Sequence, residues 1–232
     1  MKNRPEPLDR IEREVVACRR CPRLVRWREQ AAGRAPRRFQ GETYWARPLP
    51  AFGAAHPRIV LVGLAPAANG GNRTGRFFTG DESGNFLFEA LHAAGLANQP
   101  QSQHVGDGLK LERALLTAAC RCAPPDNRPT PEEFSNCRPF LVREIRLLRP
   151  GSAIVALGSL AFSSVLAALA DAGAAMAKPK PRFHHGARLS IAGFTLFGCY
   201  HPSQQNTFTG RLTQGMLRAV LRRAVRAAAA RG

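Results

Sequence analysis

The run Ile59–Val62, four branched apolar residues closed by Gly63, constrains the fold more than any other segment. A strand that is apolar at every position must be buried on both faces, as an inner strand of a parallel sheet is. Ala114–Cys122 and Ala153–Leu157 carry the same pattern, and further strands fit Ala187–Ile191 and Phe194–Tyr200. Helical segments separate them. They are Leu8–Glu29, interrupted at CRRCP where Pro22 forces a restart; Asn85–Gly95, closed by its glycine; and Pro131 to about Leu148, opened by Pro131, Glu132 and Glu133. Ser159–Ala170 and a stretch from Arg211 to the end complete the set. This alternation predicts an α/β fold with a parallel sheet between two helix layers. Ligand crevices in such sheets lie beyond the strands' carboxyl ends, so the loops after Val62, Cys122 and Tyr200 are expected to converge.

At 232 residues and 44% hydrophobic content the chain can bury one sizeable core, and a single domain over 1–232 is expected. There is no internal repeat. Gly33–Pro57, containing Tyr44 and Trp45, lacks periodicity and reads as an irregular surface excursion; Gly173–Arg182 reads as a mobile linker rather than a domain boundary. No apolar run is long enough to span a membrane and the opening MKNRPEPLDRIERE is polar, which predicts a cytosolic protein without a membrane partner. A monomer is expected.

Thirty-four Lys and Arg against sixteen Asp and Glu leave a net charge of +18, which attracts a polyanion. Nucleic acid is the first partner to consider, although coding bias also enriches arginine. In a reducing compartment the six cysteines read as metal ligands or buried apolar groups rather than disulfides. Cys18 and Cys21 form a C-x2-C pair, and Cys122 with Cys137 brackets a Pro-rich loop and a helix start. Two such pairs suffice for one four-thiolate site, zinc or [4Fe–4S]. Cys120 and Cys199 lie within apolar runs and read as core.

The segment GLAPAANGGNRTGRFFTGD, Gly63–Asp81, lets backbone approach a planar or phosphorylated ligand. It matches neither a GxxxxGK[ST] phosphate loop nor a GxGxxG dinucleotide loop. Phe77 and Phe78 beside Arg73 and Arg76 could stack a flipped base and hold its flanking phosphates, or both phenylalanines could be core. In CYHPSQQNTFTGR, Cys199–Arg211, a histidine follows directly on a buried strand and Pro202 fixes the turn. That position holds His201 at the crevice, where a catalytic reading competes with a structural one. A zinc deaminase is excluded because no H-x-E run exists.

Three motifs in order, GLAPA with NRTGRxFTGD, CAPPDNRPTPEE with a cysteine shortly after, and HPSxxNxxTG, resemble the uracil-DNA glycosylase superfamily. The similarity runs from Cys18 to Arg211 and is greatest to the family-five iron–sulfur branch of bacteria and archaea. It implies a three-layer sandwich with a four-stranded parallel sheet, and a [4Fe–4S] cluster on Cys18, Cys21, Cys122 and Cys137 that ties the N-terminal helix to the domain. It also implies uracil-containing DNA as substrate. The base would lie against the backbone of Gly63, Leu64 and Ala65, with Phe78 on its face and His201 beside its O2. The run Ser203, Gln204, Gln205, Asn206 and Thr207 would wedge into the duplex. Asn72, ahead of Asp81, is the candidate for positioning the attacking water. The cluster would shape a DNA-facing loop near Arg121 and Arg128.

The departures from better-known families are Ala65 in place of a water-activating carboxylate, Ala67 in place of a tyrosine that blocks the thymine methyl, and Ala118 in place of an asparagine on the pyrimidine edge. They imply a roomier pocket and excision extending to other deaminated bases such as hypoxanthine. They also keep open the alternative of a non-catalytic iron–sulfur or zinc nucleic-acid-binding module.

Overall fold

The structure, a computed structural model, describes residues 7–229. The expected parallel sheet forms, with more strands than the sequence pattern disclosed. Strands β1 (Phe52–Gly53), β2 (Ile59–Gly63), β3 (Ala114–Ala118), β4 (Ala153–Leu157), β5 (Arg188–Ile191) and β6 (Phe194–Cys199) lie in the order β1-β3-β2-β4-β6-β5. The four inner strands are parallel; β1 and β5 run antiparallel along the two edges. Every residue of β2, β3 and β4 is buried, which is why their sequences are unbroken apolar runs.

Alternation along the strands sends successive side chains to opposite faces. Ile59, Leu61, Leu116, Val155 and Phe197 enter one core with α4 (Glu82–Ala93) and α8 (Gln214–Ala229). Val60, Val62, Leu115, Ile154 and Leu196 enter the other with α5 (Pro131–Ile145) and α6 (Ser159–Asp171). The three-layer sandwich therefore stands.

The N-terminal segment is two helices, α1 (Leu8–Val16) and α2 (Pro22–Gln30), parted at CRRCP with Pro22 as the first residue of α2. Ile11 and Val15 of α1 pack on Phe140 of α5. The short helices α3 (Gly71–Thr74) and α7 (Gln204–Phe208) occupy two of the site loops. β3 ends at Ala118, four residues before the expected Cys122, because the chain leaves the sheet to carry Cys122 elsewhere. The supposed mobile linker has no regular secondary structure, but its Ala174 and Met176 pack against the second core. Among the described residues no helix is long and apolar enough to cross a membrane.

Candidate active site

The loops after β2, β3 and β6 converge at the carboxyl end of the sheet, as expected. They enclose a cavity of about 390 Å³ whose wall includes Leu64, Ala65, Ala67, Phe78, Asp81, Ser83, Asn127, His201, Ser203 and Gln205. That volume lies in the usual range of small-molecule sites.

Phe77 and Phe78 part company. Phe77 is 1% exposed, packed in the core and reaching only the back of the cavity wall, while Phe78 lies against His201, with ring centroids 5.7 Å apart. Phe78 has φ +52°, in the left-handed region, and such strain persists only where its surroundings impose it. Next to it a buried network does so: Arg76 pairs with Asp107 at 2.6 Å and donates to Ser102 and Thr79, whose hydroxyls are 2.6 Å apart. Gly63 lies beneath the Phe78 ring rather than on the cavity wall, where a Cβ would come within 3.1 Å of the ring. A glycine here therefore leaves room for the Phe78 ring.

His201 follows β6 directly, with its backbone carbonyl held by Asn206 Nδ2 at 2.8 Å. Burial lowers its pKa to about 4, so the imidazole is neutral at physiological pH and can offer one N–H. Asp81 is the N-cap of α4 and accepts from Gly84 N–H at 2.8 Å. Burial raises its pKa, with the Gly84 hydrogen bond opposing. Gly70 makes room for this carboxylate, since a Cβ there would collide with Asp81 Oδ2.

Asn72 is absent from the cavity. It is fully buried, its Nδ2 donates to the Arg28 carbonyl at 3.1 Å and so braces α2 against the glycine-rich loop, and its Oδ1 is buried without a partner. Asn127 faces the cavity in its place. The sequence reading missed it; the signal was the Asp126-Asn127 pair, both with φ near +54° (53° and 55°), a conformation these residue types tolerate.

The segment after His201 is only partly a free loop. Ser203 and Gln205 line the cavity, Gln204 lines the adjoining surface groove, and Asn206 and Thr207 are engaged in the turn. Asn206 thus ties this turn to His201. The arginines expected at phosphates are also occupied: Arg76 with Asp107, Arg73 with Glu42 at 2.6 Å, and Arg121, 1% exposed, with Glu144. Arg128 is exposed.

Cys18, Cys21, Cys122 and Cys137 line one separate cavity together with Arg28, Arg121 and Asn136. Arg28 Nη1 donates to Cys122 Sγ at 2.9 Å, and Asn136 Nδ2 to Cys21 Sγ at 3.6 Å. None of the six cysteines is in a disulfide, and Cys120 and Cys199 are fully buried. Among the described residues no three His, Cys, Asp or Glu side chains are gathered tightly enough for a single metal ion.

Residues 50–225 match the family model described as the uracil DNA glycosylase superfamily. The chain belongs to this superfamily. Similar proteins include the type-5 uracil-DNA glycosylases of Mycobacterium bovis (52% identical, covering 90% of this chain and 78% of that protein) and Mycobacterium leprae (50%, covering 91% and 92%). That of Thermus thermophilus is 50% identical over 92% of this chain and 95% of its own length. In this glycosylase-superfamily chain Ala65 and Ala67 both lie on the cavity wall, where their small side chains leave space. Ala118 is 1% exposed and pairs in register with Gly63, behind that wall.

Proposed function

We propose that this protein is a hydrolase of DNA repair that cleaves the N-glycosidic bond of uracil in DNA and leaves an abasic site. The observation that carries the reading is a single cavity faced by a neutral imidazole, an aromatic ring and a carboxylate in a chain of this superfamily. Cleavage of the C1′–N1 bond sends its electron pair to the uracil ring and leaves a cationic sugar. Neutral His201 donates a hydrogen bond to the developing O2 anion, and Phe78 holds the ring plane. Asp81 replaces Asn72 as the group that positions water; as a carboxylate it also accepts the proton released when water adds to C1′. Asn127 is available to the base edge.

The small side chains of Ala65 and Ala67 support excision of other deaminated bases, hypoxanthine among them. A panel of uracil, hypoxanthine and xanthine substrates tests that extension, and activity confined to uracil would refute it. The primary experiment incubates the protein with a uracil-containing duplex and then applies alkali. Strand scission at the uracil is expected; binding without scission would leave the non-catalytic alternative standing.

The four clustered cysteines fit a [4Fe–4S] group. They surround one cavity, and side-chain N–H donors approach two of the sulfurs. When bound, the cluster supplies a covalent tie between the CRRCP turn, the loop after β3 and α5. The residues of the base cavity perform the chemistry. A monomer acting in the cytosol accords with this function.

A further inference from the structure

The four-cysteine cavity is walled by two arginines that an apolar interior would reject. Arg28 is 2% exposed and Arg121 1% exposed. Among the described residues Arg28 Nε and Arg121 Nε and Nη1 are buried without a partner. Arg121 at least has the Glu144 carboxylate. Arg28 has only a long ion pair, 4.0 Å from its Nη2 to the carboxylate of half-exposed Glu29. Its Nη1 points at Cys122 Sγ, 2.9 Å distant, and the Cys18 carbonyl is 3.4 Å from its terminal nitrogens. A buried cation requires a countercharge, and a neutral thiol is none. Thiolates around an iron–sulfur core carry a net negative charge and are one.

The main chain of the same residue reaches toward the base cavity. The Arg28 carbonyl accepts from Asn72 Nδ2 at 3.1 Å, Asn72 N–H donates to the Ala67 carbonyl at 3.1 Å, and Ala67 is part of the cavity wall. We infer that Arg28 is a positioning residue with two roles: its guanidinium neutralises and hydrogen-bonds the Cys122 thiolate of the cluster, and its carbonyl passes the cluster's hold on α2 to the glycine-rich loop. This inference rests on the cluster reading. Withdrawing a positive charge from beside a cluster opposes the addition of an electron, and withdrawing a donor from a ligand loosens that ligand.

The test uses the full chain, purified anaerobically, as wild type, Arg28→Met, Arg28→Lys and Asn72→Ala. Iron, zinc and sulfide are assayed, the cluster's midpoint potential is titrated, and bleaching by a chelator is timed. Arg28→Met at full occupancy is expected to have a lower potential and to bleach about 10–100-fold faster. Arg28→Lys restores the potential more fully than it restores resistance to the chelator. A merely structural role would lower the melting temperature of both variants and leave the potential alone. Asn72→Ala is expected to lower excision by about tenfold or more with potential and bleaching unchanged; wild-type excision there would remove the second role.

Wild-type protein holding zinc, or no iron and sulfide, overturns the cluster reading and this inference together. Iron-loaded wild type with an unaltered Arg28→Met overturns the role of Arg28 alone. If Arg28→Met does not fold, Arg28→Lys decides: faster bleaching at equal iron content supports the inference and unchanged bleaching refutes it.

Discussion

His201 enters the proposed reaction already neutral, because burial holds its pKa near 4. Losing a preorganised donor of this kind costs about a hundredfold to a thousandfold in rate. Single-turnover excision by His201→Ala is therefore expected to fall by that order while affinity for abasic product persists. Burial also couples this histidine to stability. Its folded pKa lies below the unfolded 6.5, so its contribution is fully present above about pH 6.5 and is lost as pH falls toward 4. The loss is at most about 3 kcal/mol. Wild type should lose more stability than His201→Asn in denaturant titrations compared at pH 7.5 and 4.5.

Asp81 has the opposite sign: a folded pKa raised by burial means stability present at acid pH and lost as pH rises through that value. Asparagine caps a helix about as well as aspartate. Asp81→Asn is thus expected to melt a few degrees higher at pH 7.5, converge with wild type near pH 4, and excise far more slowly. An unchanged excision rate would remove Asp81 from catalysis. His201 and Phe78 could be picked out in the sequence because a strand end and an Arg-flanked aromatic are local patterns. The choice of Asp81 and Asn127 over Asn72 could not, since which way a side chain faces across α3 depends on the α2 carbonyl it meets, more than forty positions away in the chain.

At the level of elements, the strands that span the core were legible because burial on both faces leaves no polar position in them. β1 was not: two residues carry no period, and its pairing partner Leu115–Leu116 lies far along the chain. The break at CRRCP was announced by Pro22, and the start of α5 by Pro131 with its acidic first turn. Thr130 and Glu133 form a reciprocal capping box there, and Glu133 also holds Arg23 of α2 at 2.7 Å. Thr130→Ala is expected to cost about 1 kcal/mol, read as a lower urea midpoint at unchanged slope. Because Cys137, a ligand in the proposed cluster, lies on the same helix, the proposal expects a measurable gain in chelator-induced bleaching to accompany that loss.

Across the whole molecule the charge of +18 predicts association governed by phosphate neutralisation. The affinity for uracil-free duplex should fall with salt at a logarithmic slope steeper than about −3, near −0.9 for each phosphate engaged. A slope near zero would mean that the arginine excess does not face DNA. Charge count was readable from composition, but its distribution was not: Arg28, Arg73, Arg76 and Arg121 are committed to partners inside the protein. The sheet's borders bear on the same binding. A polyanion draws many copies of a cationic protein into close file, the circumstance in which open ladders of amide and carbonyl groups fuse neighbours into fibres. Here one margin is a two-residue strand and the other a short strand bearing Arg188, so crowded copies find little to zip against and remain free to move along the polymer as individuals.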